Sequence, residues 1–165
     1  MSADTLTSIH VTAGEVASDA IGADARTVIA LFDDVMTTAE PADVHACRVA
    51  VRRLRADVRT FRPLLDRRWV GDRRRDLHSL HRTLATVRHL DVRAEHLRAA
   101  GARADGRDDE VAAVLGDLAD VRHDAVAALP VTLTADTRAW LRRLADEAES
   151  TPVHPDPGSD AHVEA

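Results

Sequence analysis

The residues best placed to do chemistry in this chain are cations in a row. The stretch HACRVAVRRLRADVRTFR, His45 to Arg62, sets six arginines and one histidine against a single acid, Asp57. A guanidinium is a planar fork of donors that stays charged at every biological pH and grips phosphate or carboxylate through paired hydrogen bonds. All 22 basic residues of the chain are arginine. Binding of a polyanion is the chemistry that such a concentration offers. Two rival groupings are weaker. Cys47 and Arg53 satisfy the C-x5-R spacing of cysteine phosphatases, but that reaction needs a thiolate in a glycine-rich loop of amide donors. The segment has no glycine, and Cys47 falls among apolar positions. His78 and His81, with His45, could approach a metal ion, yet no carboxylate or second pair completes a ligand set. The expectation is a binding protein with no catalytic residue, no metal and no cofactor.

Spacing shows how the cations sit on their helix. Val44, Cys47, Val51, Leu54, Val58, Phe61 and Leu65 recur at alternating intervals of three and four, which makes one apolar seam. One residue further on, His45, Arg48, Arg52, Arg55, Arg59 and Arg62 repeat the same intervals. A helix turns once per ~3.6 residues, so the second stripe lies about 100° from the first, on the shoulder of the core. Like charges at these intervals cost ~0.2–0.5 kcal/mol per pair, and no acid is interleaved to offset them. A later helix repeats the device. Leu77, Leu80, Leu84, Val87 and Leu97 form a seam, with Arg74, His78, His81 and Arg88 one residue on. Packing by the seams lets the two shoulders line one groove; the spacing alone leaves open whether they face each other.

The elements that carry these stripes follow from periodicity and punctuation. The first dozen residues read as a flexible tail. A helix is expected over about Glu15 to Ala39, with Val16, Ala20, Val28, Leu31 and Val35 inward, ended by Pro41. Asp43 is placed to cap a second helix over about Val44 to Leu65, with Pro63 at its fraying end. DRRWVGDRRR reads as a connection before a third helix over about Asp72 to Ala100, stopped at Gly101. Gly101 to Asp109 reads as a loop. A fourth helix follows from about Asp109 to Leu129, with Val111, Leu115, Leu118, Val121 and Ala125 inward, broken by Pro130. Thr134 or Asp136 can cap a fifth that runs through Glu149 and carries Trp140, Leu141 and Leu144. Residues 151–165 are proline-rich and polar, a composition that favours disorder. The predicted fold class is all-α: an antiparallel bundle of about four long helices plus a shorter C-terminal one, spanning residues 13–150.

Charge is distributed as sharply as apolarity. The net charge of −6 divides into about −6 over residues 1–40, +8 over 41–100 and −8 over 101–165. A basic middle between acidic flanks points to a focused anion site rather than a general nucleic-acid coat. One cysteine excludes an internal disulfide, and no apolar run approaches the ~20 residues of a membrane span. These features, with the alanine- and arginine-heavy alphabet, predict a soluble cytoplasmic protein of bacterial type.

The stretch VHACRVAVRRLRADVRTFRPLL, Val44 to Leu65, resembles the signature helix of CHAD domains, histidine-containing α-helical domains that bind inorganic polyphosphate. His45, Arg48, Arg52, Arg53 and Arg55 carry that likeness. LATVRHLDV, Leu84 to Val92, resembles the family's second mark through Arg88 and Asp91, with His89 where the family has an aspartate. The resemblance covers about Ala13 to Ser150. It implies a helical bundle whose basic helices line a polyphosphate cavity, with His45, Arg48, Arg52, Arg53, Arg55 and Arg88 as phosphate contacts. The stripe adds Arg59, and Arg62, Arg74, His78 and His81 stand as secondary anion contacts. Members of the family carry two such four-helix halves, and this chain resembles one. Pairing of two copies to rebuild the cavity is therefore expected, as is association with polyphosphate or storage granules. Nucleic-acid binding is the main rival, although the aromatic residues that stack bases are nearly absent: two Phe, two Trp and no Tyr. A purely structural, partner-binding bundle is the third reading.

Overall fold

A computed structural model describes residues 12–103, 106–132 and 135–150. Its elements are α1 (Ala13–Thr38), α2 (Pro41–Thr60), a 3-10 turn (Arg62–Leu64), α3 (Arg67–Gly101), α4 (Asp108–Ala127), a one-turn α5 (Leu129–Thr132) and α6 (Ala135–Ser150). The predicted all-α antiparallel bundle is the observed architecture. Both terminal segments read as tails, residues 1–11 and 151–165, lie outside the described residues, as does Thr134. Thr12, counted with the first tail, instead caps α1. Its side chain accepts from the Glu15 amide while the Glu15 carboxylate accepts from the Thr12 amide.

α1 packs on α2 and on α6, α2 on α3, and α3 on α4. The seam of α2 reads true: Val44, Cys47, Val51, Leu54 and Val58 are all fully buried. They meet Leu77, Leu80, Leu84 and Val87 of α3 and Val28, Phe32 and Val35 of α1 in one core. Each such aliphatic side chain contributes about 1.5–3 kcal/mol on burial.

Several boundaries differ from expectation. Pro41 does not terminate α1; it opens α2 at the first helical position, where a proline costs no hydrogen bond. Glu40 occupies the cap position, and Asp43 lies in the first turn, accepting from the Thr38 hydroxyl at 2.6 Å. α2 stops at Thr60 and Pro63 sits in the 3-10 turn, yet Leu65 beyond it is still buried. The arginine-rich connection is helix: Asp66 accepts from the Trp69 amide at 2.7 Å, and α3 starts five residues earlier than expected, at Arg67. Gly101 is the last residue of α3 rather than its successor. A Cβ there would stand 2.8 Å from Val111 Cγ1, so the glycine lets α4 leave close to α3. Gly106, at φ 79°, turns the loop.

The predicted face of α1 is rotated, and that of α4 departs from expectation at one position. In α1 the core face is Ala17, Ile21, Ala25, Val28, Phe32 and Val35, whereas Val16 is exposed. An alanine-rich helix offers several plausible faces, and bulky Ile21 and Phe32 decide between them. In α4, Val111, Leu115, Leu118 and Ala125 turn inward and are half-buried as expected, but Val121 is exposed and no residue is fully buried. Arg122, one position on, is drawn inward instead. α6, expected as the fifth helix, holds Trp140, Leu141 and Leu144 in the core, with Asp136 inside its first turn.

Candidate anion groove

Three faces of α2 have three different surroundings. The seam enters the core. The shoulder one residue back along the wheel, Ala50, Arg53 and Asp57, is turned to α1: Arg53 Nε lies 3.2 Å from Asp24 Oδ1. The opposite shoulder is turned to α3, and there a groove of about 990 Å³ opens between the two helices. From α2 it is lined by Arg52, Arg55, Ala56 and Arg59. From α3 it is lined by Gly71, Arg74, Arg75, His78, Ser79, Arg82, Thr83 and Thr86. At ~1.5 Å per residue the wall from Gly71 to Thr86 runs about 22 Å. The two cationic shoulders, whose relation spacing left open, therefore face one another.

Electrostatically the groove is one-sided. Arg75 is paired with Asp72 at one end, and no carboxylate is among the lining residues. Arg48, half-buried one turn before Arg52, has a buried Nε with no hydrogen-bond partner in the chain. His81, three residues beyond His78 on α3, is half-buried and is not itself among the lining residues. Burial, then the charges of Arg55, Arg48, His78 and Arg52, hold its imidazole below the usual histidine range. The chain thus gathers positive potential along a solvent-open slot, an arrangement that favours an extended ligand with repeated negative charge.

Not every expected contact is brought here. Arg52, Arg55, Arg59, Arg74 and His78 line the groove; Arg48 and His81 adjoin its cations. Arg53 does not, being engaged with Asp24 on the α1 side. His45 is exposed at the start of α2, and Arg62 is exposed in the 3-10 turn. Arg88 lines a second cavity of about 290 Å³ between α3 and α4, together with Asp91, Arg98 and Arg122. His89 is exposed. Spacing along a single stripe missed Arg75, Arg82 and the hydroxyls of Ser79, Thr83 and Thr86. The row Arg75, Ser79, Arg82 and Thr86, at intervals of four, three and four, carried the missing signal.

Two buried polar clusters frame the site without entering it. Asp91 accepts from Arg122 Nε at 2.5 Å, and Arg122 Nη2 donates to the Ala39 carbonyl oxygen at 2.5 Å. One α4 side chain so clasps α3 and the α1–α2 corner. Asp24, buried against α2, is pushed up to about 6, first by desolvation and then by a shared hydrogen bond and like charge with Asp57; Arg53 opposes the shift. Cys47 is wholly buried, and desolvation, with the charge of Asp34 adding, pushes its thiol up to about 12. The C-x5-R spacing therefore supplies no thiolate at neutral pH. Among the described residues no group of three or more His, Cys, Asp or Glu is placed to hold a metal ion.

The family model described as CHAD domain matches residues 19–164. The fold is similar to that of PptA from Streptomyces chartreusis, with a TM-score of 0.67 and 23% sequence identity over 92% of this chain and 54% of that chain. This chain spans about half the length of the solved structure it matches, and a likeness at that identity speaks for the fold. No curated protein matches the chain.

Proposed function

The chain belongs to the CHAD domain family, and from that premise we propose that its α2–α3 groove binds inorganic polyphosphate without turning it over. One observation carries the reading: cations from two facing helices line a slot to which no carboxylate contributes. A polyanion in the slot would offset self-repulsion of that kind along its whole length. Arg52, Arg55, Arg59, Arg74, Arg82 and His78 are the contacts this geometry favours, with Arg48 and His81 beside them. The hydroxyls of Ser79, Thr83 and Thr86 add donors along the α3 wall. Arg53 belongs to the fold rather than to the ligand on this reading, and His45, Arg62 and Arg88 stand outside the groove. The lining has no Phe, Tyr or Trp ring on which a nucleic-acid base could stack.

Because the slot is open to solvent on one side, a second copy of the chain is the proposed partner for a complete cavity. Light scattering with and without polyphosphate tests this, and a species monomeric in both conditions counts against pairing. No helix of the described residues is long and apolar enough to cross a membrane; polyphosphate-rich granules of the cytoplasm are the location this reading implies.

The decisive experiment measures affinity for polyphosphates of several lengths against DNA, RNA and monophosphate across a salt series. Binding is expected to tighten with polyphosphate length and to fall steeply with salt through counterion release. Equal or tighter binding of DNA or RNA favours a nucleic-acid protein. Failure to bind any polyanion leaves a structural bundle.

A further inference from the structure

His81 belongs to the α3 shoulder but differs from its neighbours in being half-buried and able to change charge. The charges that reach it come from two elements. Arg48, Arg52 and Arg55 approach from α2, and His78 lies one turn away on α3. Arg74 and Arg82 line the same α3 wall, and no carboxylate lines the groove. An imidazole in that setting is harder to protonate while the groove is empty, because desolvation and surrounding cations both oppose a further charge. A polyanion in the slot reverses the second effect: it neutralises those guanidinium groups and adds its own negative potential. By linkage, whatever raises the proton affinity of His81 on binding must raise the affinity for the anion on protonation.

We propose that His81 makes polyphosphate binding proton-coupled, the groove taking up a proton as it takes up the chain and releasing the chain more readily as the medium becomes alkaline. The coupling rests on the groove being the polyphosphate site, and it adds a regulatory input at that site. Internal phosphates of a long polyphosphate remain ionised throughout the relevant range. Terminal groups, which gain protons near pH 6, would weaken binding on acidification, so the two sources of pH dependence have opposite signs.

Calorimetry of the full chain with long-chain polyphosphate at constant ionic strength separates these effects. It is run at pH 5.5, 6.5 and 7.5, each in two buffers of different ionisation enthalpy. Wild type is expected to take up a fraction of a proton per binding event at pH 6.5. Its binding should tighten about fivefold from pH 7.5 to 5.5, within the tenfold per pH unit that one proton allows. His81→Gln should lose at least half of the uptake and flatten the pH profile, whatever it costs in affinity at pH 7.5. His81→Asn repeats the test in a smaller side chain, with circular dichroism confirming the fold. Asp24→Asn, altered on the α1 side of α2, should leave the uptake in place. Zero uptake by wild type, or unchanged uptake in both His81 variants, overturns the coupling while the polyphosphate site stands. No binding at any pH by wild type overturns the site itself and the coupling with it.

Discussion

The α2–α3 groove and the α3–α4 junction are both arginine-lined cavities on the same helix, and they treat arginine in opposite ways. At the junction Arg122 is met by a buried carboxylate and a backbone carbonyl, so its charge is spent on holding α4 in place. In the groove no carboxylate lines the walls. Arginine with a buried counter-ion serves the fold, and the proposal is that arginine massed without one serves a ligand. Arg53 shows how narrow the division is: it lies one residue from Arg52 yet is turned to Asp24 across the α1–α2 interface.

Substitutions on each side should separate stability from affinity. The largest effect is expected at the junction. Arg122→Ala leaves Asp91 and the Ala39 carbonyl unpaired, and loss of one partner of a buried pair costs on the order of 3 kcal/mol. Chemical denaturation should register that loss, while any protein that remains folded keeps its polyphosphate affinity. Next comes the groove: Arg52→Glu with Arg55→Glu should weaken polyphosphate about 100-fold or more, as two charge-assisted contacts of ~1.5–3 kcal/mol each are reversed. Its denaturation midpoint should move little. Should the double variant bind as wild type does, the groove is not the site.

Smaller effects test the α1-facing shoulder of α2. The Asp24 carboxyl has a raised folded value near 6, against an ordinary 3.8. The folded state therefore holds its proton more tightly than the unfolded chain does. Stability from this group is present at low pH and is lost as pH rises from about 4 to about 6. Asp24→Asn should abolish that slope and stabilise the protein by on the order of 1 kcal/mol at pH 7, measured by urea unfolding at both ends of the window. Arg53→Ala is expected to be the mildest. Its guanidinium is largely exposed, so stability should change by less than about 1 kcal/mol and polyphosphate affinity by less than about twofold. A large loss of affinity in Arg53→Ala would break the division between the two shoulders.

How far these features were legible in the sequence depends on what fixes each one. The α2 seam from Val44 to Val58 and the arginines from Arg48 to Arg59 beside it are properties of one helix with regularly spaced residues and read correctly. The expected ends of the stripes do not: His45 is exposed near the start of the helix, and Phe61 and Arg62 fall beyond its end. Whether the shoulders face each other depends on the rotation of α2 against α3, which only packing sets. Arg53 shares the stripe's chemistry, but its partner Asp24 lies on a different helix and no local pattern links them. Arg122 is invisible for the same reason: the exposed Val121 beside it looks the better core residue until Asp91 and Ala39 are placed. The start of α3 was obscured by an arginine run containing Gly71, where Asp66 as a cap is the single local clue.

The Arg122 clasp also bears on how the molecule comes apart. α4 has no fully buried residue and rests chiefly on α3, whereas the α2 seam is closed to solvent. Sub-global opening with low cost begins where few apolar contacts must be broken. Amide hydrogens of α4 should therefore exchange with solvent well before those of α2, and removing Arg122 should widen that gap. The groove would stay whole during such an opening, since its two walls belong to the part of the chain that opens last.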